Sequence, residues 1–526
     1  MRETVRQAAS GWWTDSVIYQ IYPRSFWDSN GDGIGDLRGI YERLDYLRWL
    51  GVDAIWLSPP YRSPMADFGY DISDHCDIDP IFGDLADFDR LVDGVHSRGL
   101  RLVVDYVANH TSSGHRWFQA AHGSRDSPER ERYVWRDPAP SGGPPNNWRR
   151  AFSEEPAWTL DETTGQYYLH LFLPEQPDLN WSDPRVRQDM SEVLRFWMGR
   201  GVDGFRADVI HCIGKPDDLP CAPEDLAGLP ACIFDQGPGT HDCLRMLRRV
   251  IDGDAPGEHL FLGETAVFDR DQQLSYLGDG DELHLGFNFL ALHTRWDATA
   301  WRSELEATYA AYERAGAWPT WVLSNHDVPR HATRYGTESR ARAAAVLLLT
   351  QRGTPFMYQG EELGLFDASI AAQDRLDPGG RDGCRAPIPW SAQDTGGWSE
   401  QMWLPPPPDA ARMSVEAQRD DPGSILTLYG ELLAMRRRLP VLRSGRIELL
   451  EAPQGVLRYR RWIDGRAGDR TVVEVAVNFA PEPVGDAVSE GEVLVGTHGR
   501  SDVDAPPGSA VPGTSLRADE ARVVAL

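Results

Sequence analysis

A chain of 526 residues has room for one large barrel with additions, and its 41% hydrophobic and 25% charged content excludes a disordered or fibrous protein. A formal net charge of −27 repels nucleic acid and anionic membranes, which leaves a neutral small molecule as the easier ligand. No apolar run approaches the ~18–20 residues of a membrane span, and Met1 to Asp15 lacks a signal-peptide pattern, so a cytoplasmic protein is expected.

In chain order, an apolar run predicts a first strand at Val17–Tyr22, followed by an Asp- and Gly-rich loop from Asp28 to Asp36 and a helix over Leu37–Leu50. A strand at Ala54–Leu57, a helix at Leu85–Arg98 and a strand at Arg101–Val107 come next. Thr111–Asp178 then breaks the rhythm. It is rich in Pro, Gly, Trp and Asn, has weak strand signals near Gln166–Leu173, and is too long for a plain loop, so it predicts an inserted subdomain over the barrel mouth. The alternation resumes with a helix at Pro184–Gly201 and strands at Gly204–Ala207, Leu260–Gly263 and Leu283–Phe287. A helix at Trp301–Ala315, a strand at Trp321–Leu323, a helix at Arg340–Thr350 and a strand at Phe356–Tyr358 complete eight units. Eight alternating units imply parallel strands closed into a (β/α)₈ TIM barrel, of α/β class. After a last helix at Ser424–Leu439, short alternating runs such as Arg446–Glu451, Val456–Arg461 and Thr471–Val477 predict a C-terminal antiparallel β-sandwich. The expected division is 1–110 and 179–440 for the barrel, 111–178 for the inserted subdomain and 441–526 for the C-terminal unit.

Four predicted strand ends carry polar clusters. Side chains alternate on a strand, so Arg206 and Asp208 share a face and reach the C-terminal mouth, where barrel active sites sit. An arginine beside a carboxylate keeps it ionised, as a nucleophile requires; a structural ion pair is the alternative reading. Glu264 ends the next strand, where crowding raises a carboxyl pKa and suits a general acid. His326 and Asp327 end the seventh strand, and Asp105, Asn109 and His110 end the third. So many charges at one mouth are not what folding stability alone asks for. Retaining glycoside cleavage needs two carboxyls about 5–5.5 Å apart, which Asp208 and Glu264 on adjacent strands can supply. Asp327 is then a third carboxylate to stabilise the positive transition state, with His110, His326 and Arg385 as partners for sugar hydroxyls.

The loop Asp28-Ser-Asn-Gly-Asp-Gly-Ile-Gly-Asp36 offers oxygens from Asp28, Asn30, Asp32 and Asp36 and the Ile34 carbonyl. It is similar to the start of an EF-hand loop, but Gly39 stands where that motif has its bidentate Glu, so a structural calcium or magnesium is expected rather than a signalling site. No motif for an organic cofactor is present. Cys212, Cys221, Cys232 and Cys243 match no zinc pattern; reduced thiols are expected, a local Cys221–Cys232 disulfide being the alternative. The only lysine is Lys215, a scarcity that reads as codon usage rather than function.

Together these motifs resemble the α-amylase family of retaining α-glycoside hydrolases, in its α-glucosidase and oligo-1,6-glucosidase branch. The resemblance covers nearly the whole chain and rests on Ile18–Phe26, Gln176-Pro-Asp-Leu-Asn180 and Arg381-Asp-Gly-Cys-Arg-Ala-Pro-Ile-Pro-Trp390. It implies Asp208 as nucleophile, Glu264 as acid/base and Asp327 as transition-state stabiliser. It also implies a glucose subsite of Asp67, Tyr70, His110, Phe172, Arg206, His326 and Arg385, and a metal in the loop Asp28–Asp36. The implied activity is exo-acting removal of glucose from short malto-oligosaccharides, with α-1,6 bonds possible; transfer to a sugar or alcohol acceptor, or sugar isomerisation, is the alternative. A monomer or homodimer acting on a small α-glucoside follows, with no nucleic-acid or membrane partner. Ser153-Glu-Glu155 and the stretch Lys215–Asp242 depart from the family pattern near the aglycone side, and Val209 does not decide linkage.

Overall fold

The structure is a computed structural model that describes residues 11–234, 237, 239–253, 257–465, 470–498 and 513–526. Eight parallel strands form its centre: β1 (Ile18–Ile21), β2 (Ala54–Leu57), β3 (Arg101–Val107), β4 (Gly204–Asp208), β5 (Leu260–Gly263), β6 (Leu285–Gly286), β7 (Thr320–Val322) and β8 (Thr354–Tyr358). Their order is β6-β5-β4-β3-β2-β1-β8-β7. Nearly every residue in them is buried, because helices cover one face and the barrel interior the other, which is why they read as apolar runs rather than alternating ones. β6 and β7 are the two ends of this sheet. The hydroxyl of Thr320 bridges them, donating to Gly286 O (2.9 Å) and accepting from Asn288 N (3.1 Å), so a side chain closes the cylinder where the backbone ladder stops.

The helices start where carboxylates or hydroxyls can satisfy free amides. Asp84 accepts from Asp87 N to cap Leu85–Ser97, and Asp183 caps Pro184–Gly199 with proline in the first turn. The expected helix over 37–50 is two helices, Leu37–Glu42 and Leu44–Leu50. Arg43 breaks it: its guanidinium packs over the rings of Trp27 (4.1 Å) and Trp390 (4.5 Å), and its backbone leaves helical geometry. A helix over Gly239–Gly253, outside the predicted set, precedes β5.

Residues 111–178 carry a three-stranded antiparallel sheet, with Gln166–Leu169 between Trp135–Arg136 and Trp158–Asp161. Their apolar cluster, which includes Trp148, Trp158, Leu171 and Phe172, continues into Val209, Cys212 and Leu219 of the segment after β4. The insert and that segment therefore pack as one unit above the mouth. The C-terminal sheet comprises β9 (Arg446–Leu449), β10 (Val456–Asp464), β11 (Arg470–Asn478), β12 (Glu492–Gly496) and β13 (Ala521–Ala525), in the order β9-β10-β11-β13-β12. Period-two alternation turns Leu457, Tyr459, Val475 and Val523 to the barrel core, and Val456, Ala476 and Val524 to an outer layer with Ala487, Val488 and Leu516. This sheet also covers the outer side of the helix Glu338–Thr350, which is consequently buried along most of its length. All six cysteines are free thiols. Among the described residues, no helix is long and apolar enough to cross a membrane.

Candidate active site

The C-terminal ends of β3, β4, β5 and β7 meet at a cavity of about 300 Å³. Asp67, Tyr70, His110, Phe172, Asp208, Glu264, His326 and Asp327 all line it, from segments far apart in the chain. Arg206 lies one layer deeper, fully buried. Its fork donates from Nη1 to Asp105 Oδ1 (2.6 Å) and Asp208 Oδ1 (2.5 Å), and from Nη2 to Glu264 Oε2 (2.5 Å). One planar guanidinium thus sets the spacing of the two carboxyls expected to do chemistry. Val209 adds a second constraint. Its backbone is held at φ +35°, strained for a β-branched residue, and from there its N–H donates to Glu264 Oε2 (3.1 Å).

Three carboxylates around one guanidinium leave the group over-negative. Burial raises Asp105 to about 6 against the pull of Arg206. Burial also pushes Asp208 well above the ordinary carboxylate range; Arg206 opposes this, while Glu264, Asp105 and Asp327 reinforce it. The cluster therefore retains a proton that isolated carboxylates lose, and that proton belongs to the cluster as a whole.

The opposite wall carries the reverse balance. Asp327 Oδ1 receives Arg381 Nη1 (3.0 Å) and Arg385 Nη2 (3.2 Å). Burial favours its neutral form, but the charges of Arg381 and Arg385 outweigh burial and hold it below the usual range. Arg381 also bonds Asp67 (2.5 Å) and Asp377 (2.6 Å), so Asp67, Arg381 and Asp327 form a continuous chain of ion pairs along this wall. Arg385 has no exposed surface: it supports Asp327, Asp377 and the His326 carbonyl from behind, rather than lining the cavity. The His326 ring is sandwiched between the Gln20 amide at Nδ1 (2.7 Å) and the Tyr70 hydroxyl at Nε2 (2.7 Å), and burial lowers it to about 3, so it is neutral.

Sequence reasoning passed over several residues here. Arg381 sits in a quoted motif, yet nothing local singles it out from Arg385. Gln176 donates to Asp67 Oδ2 (3.1 Å) and contacts His110 Nε2 (3.1 Å). Phe152, Ala151 and Cys232 bring the two unusual segments to the rim; Phe152 is 40% exposed and its ring lies 4.6 Å from the Arg381 guanidinium.

The Asp28–Asp36 loop lies apart from the cavity. Asp28 accepts from Asn30 N (3.1 Å), Gly31 N (2.7 Å) and Gly33 N (2.8 Å), Asn30 Oδ1 accepts from Asp32 N (2.9 Å), and Asp32 Oδ1 accepts from Ile34 N (2.9 Å). Asp36 accepts from Ser29 and caps the following helix through Gly39 N (2.6 Å). These hard oxygen donors suit calcium or magnesium in kind. Among the described residues, however, no three His, Cys, Asp or Glu side chains are grouped closely enough to hold a metal ion.

Comparison with known proteins agrees with this geometry. The family model for the α-amylase catalytic domain matches residues 20–445. The chain is 37% identical to an oligo-1,6-glucosidase of Parageobacillus thermoglucosidasius, over 86% of this chain and 88% of that one. It is 41% identical to a probable α-glucosidase of Rhizobium meliloti (strain 1021), over 86% and 87% of the two chains. Among solved structures it matches the α-glucosyl transfer enzyme XgtA with a TM-score of 0.87 and 39% identity, over 98% of this chain and 99% of that one. The chain belongs to the α-amylase family of glycoside hydrolases, in its α-glucosidase and oligo-1,6-glucosidase branch.

Proposed function

We propose that the protein is a retaining, exo-acting α-glucosidase that removes glucose from the non-reducing end of short α-glucosides, malto-oligosaccharides first and α-1,6-linked ones also. The observation that carries this reading is the set of carboxylates gathered in the cavity, Asp208 and Glu264 gripped by one guanidinium with Asp327 beside them. Arg381, bonded to both Asp67 and Asp327, fixes charged groups along one wall that suit the hydroxyls of a terminal sugar.

In this reading Asp208, once ionised, attacks the anomeric carbon while Glu264 protonates the departing glycosidic oxygen, giving a glucosyl ester on Asp208 and a free aglycone alcohol. Glu264, now ionised, takes a proton from water, whose oxygen displaces Asp208 and restores both groups with retained configuration. Asp327, kept anionic by two arginines, faces the positive charge that develops on the ring. His110, His326, Tyr70 and Asp67 hold the hydroxyls and Phe172 flanks the ring, while Arg206 and Arg385 act through the carboxylates they grip. The Asp28–Asp36 loop takes a structural calcium or magnesium through Asp28, Asn30, Asp32, Asp36 and the Ile34 carbonyl. A cytoplasmic monomer or homodimer completes the proposal, supported by six free thiols.

A second reading, transfer of glucose to a sugar acceptor or isomerisation, is favoured by the likeness to a glucosyl transfer enzyme and by the exposed Phe152 ring, an apolar face at the cavity against which an acceptor sugar can pack. A time course on maltose, isomaltose, sucrose and trehalose, following glucose and new oligosaccharides by chromatography, separates the two. Glucose as the main product supports hydrolysis, abundant new glycosides support transfer, and silence on all four overturns both.

A further inference from the structure

The only lysine of the chain is buried beneath the cavity. The Lys215 side chain is 7% exposed, and its ammonium lies 2.8 Å from Asp178 Oδ2 and 2.6 Å from Asn109 Oδ1. Asp178 is itself fully buried, and it also accepts from Asn109 Nδ2 (3.0 Å) and, at Oδ1, from Leu171 N (2.9 Å). Asn109 Nδ2 is 3.2 Å from His110 Nδ1. An ammonium can only donate, so it fixes which end of the Asn109 amide faces it and turns the amide nitrogen toward His110 and Asp178. Without Lys215 the Asp178 carboxylate is an uncompensated buried charge beside an imidazole.

We propose that Lys215 is a positioning residue for the terminal-sugar subsite: by neutralising Asp178 and orienting Asn109, it keeps His110 an uncharged, fixed hydrogen-bonding partner for a sugar hydroxyl. The inference rests on reading the cavity as that subsite. The groups that face His110 are Asp178 and Lys215 from beneath, His75, and Gln176, which links it to Asp67. Burial holds His110 down to about 4; Asp178, and less strongly a backbone hydrogen bond at Tyr70, oppose this, and Lys215 counters Asp178. The lysine also begins the unusual segment after β4, which is pinned to the insert through Asn146 Nδ2 to Leu219 O (3.1 Å), Trp148 Nε1 to Pro220 O (2.9 Å) and Arg136 Nη2 to Asp217 O (2.8 Å). One ion pair therefore links the depth of the sugar site to the wall of its entrance.

The test is the titration of His110, followed by NMR on histidine-labelled protein and assigned with His110→Gln, in wild type, Lys215→Met and the neutral pair Lys215→Met with Asp178→Asn. The expected result is that His110 in Lys215→Met titrates about one pH unit or more above wild type, and that the neutral pair returns it toward the wild-type position. In parallel, the acid limb of kcat/KM moves up in Lys215→Met, KM rises about tenfold or more with a smaller change in kcat, and the neutral pair recovers the limb. An unmoved His110 titration overturns the proposal, as does a neutral pair that folds or titrates no better than Lys215→Met. Because the NMR arm needs no turnover, a wild type silent on every glucoside defeats the glucosidase reading alone.

Discussion

Two groups of buried carboxylates lie in this barrel, and they are held in opposite ways. At the mouth, Asp208, Glu264, Asp105 and Asp327 are gripped by Arg206, Arg381 and Arg385. Beyond the end of β8, Glu361 and Glu362 are just as buried but are met by tyrosines: Tyr429 donates to Glu361 (3.1 Å), and Tyr19 and Tyr46 both donate to Glu362 (2.8 Å each). The nearest guanidinium, Arg330, donates to Gln359 O (2.7 Å) instead. Burial drives Glu361 up to about 8, whereas the arginines hold Asp327 down. Hydroxyl partners leave a buried carboxyl to the cost of burial, whereas two guanidiniums on one carboxylate, as at Asp327, hold it charged; Arg206, shared among three carboxylates, leaves Asp208 and Asp105 raised.

The contrast is broken most severely at Asp208. Asp208→Asn keeps the shape, relieves repulsion in an over-negative cluster, and is expected to lower kcat by more than about 10⁴-fold with Tm close to wild type. Appreciable activity in that variant would show that the nucleophile lies elsewhere. Next in size is Arg381→Ala, which removes the one ion-pair partner of Asp67 among the described residues and leaves Asp377 and Asp327 to Arg385. The expectation is a fall of about 10²-fold in kcat/KM and a loss of roughly 3–5 kcal/mol in denaturant unfolding. A stable, fully active variant would show that this wall does not hold the sugar.

Glu361 sharpens the comparison from the other side. Its folded pKa is raised above the unfolded value, so its contribution to stability is full below the ordinary carboxyl range and is lost as pH rises toward about 8. Glu361→Gln cannot ionise, so its Tm is expected to exceed wild type near pH 8 and to match it near pH 5. Parallel Tm curves across that range would show that burial does not keep this carboxyl neutral. The smallest effect belongs to the Asp28–Asp36 loop, where removing calcium with a chelator should lower Tm by a few degrees, a response lost in Asp32→Ala. No shift in either protein would dismiss the structural metal.

Much of this was legible in the chain, and what was not has physical causes. Parallel strands buried on both faces announce themselves as short apolar runs, so all eight were placed to within a few residues. The break at Arg43 was hidden, because it comes from tryptophans 16 residues before and 347 residues after it in sequence. Asp208, Glu264 and Asp327 were readable because strand ends fix where a side chain points. Arg381 and Phe152 were not, since they reach the cavity from loops whose course only the tertiary structure defines. Lys215 read as a compositional accident; its ion pair joins segments 37 residues apart, and nothing in its flanking sequence shows it.

The Thr320 bridge has a mechanical consequence. The barrel is a split collar with its gap between β6 and β7, clasped at the strands by the Thr320 hydroxyl and beyond them by Arg334, which donates to Leu292 O and Leu323 O. Asp208 and Glu264 stand on one side of the gap, on strands laddered directly to each other, while Asp327 follows the strand on the other side. Widening the collar moves the two jaws apart without disturbing either jaw. Replacing Thr320 therefore acts as a tuning screw on the width of the sugar site, set at a position that touches no sugar.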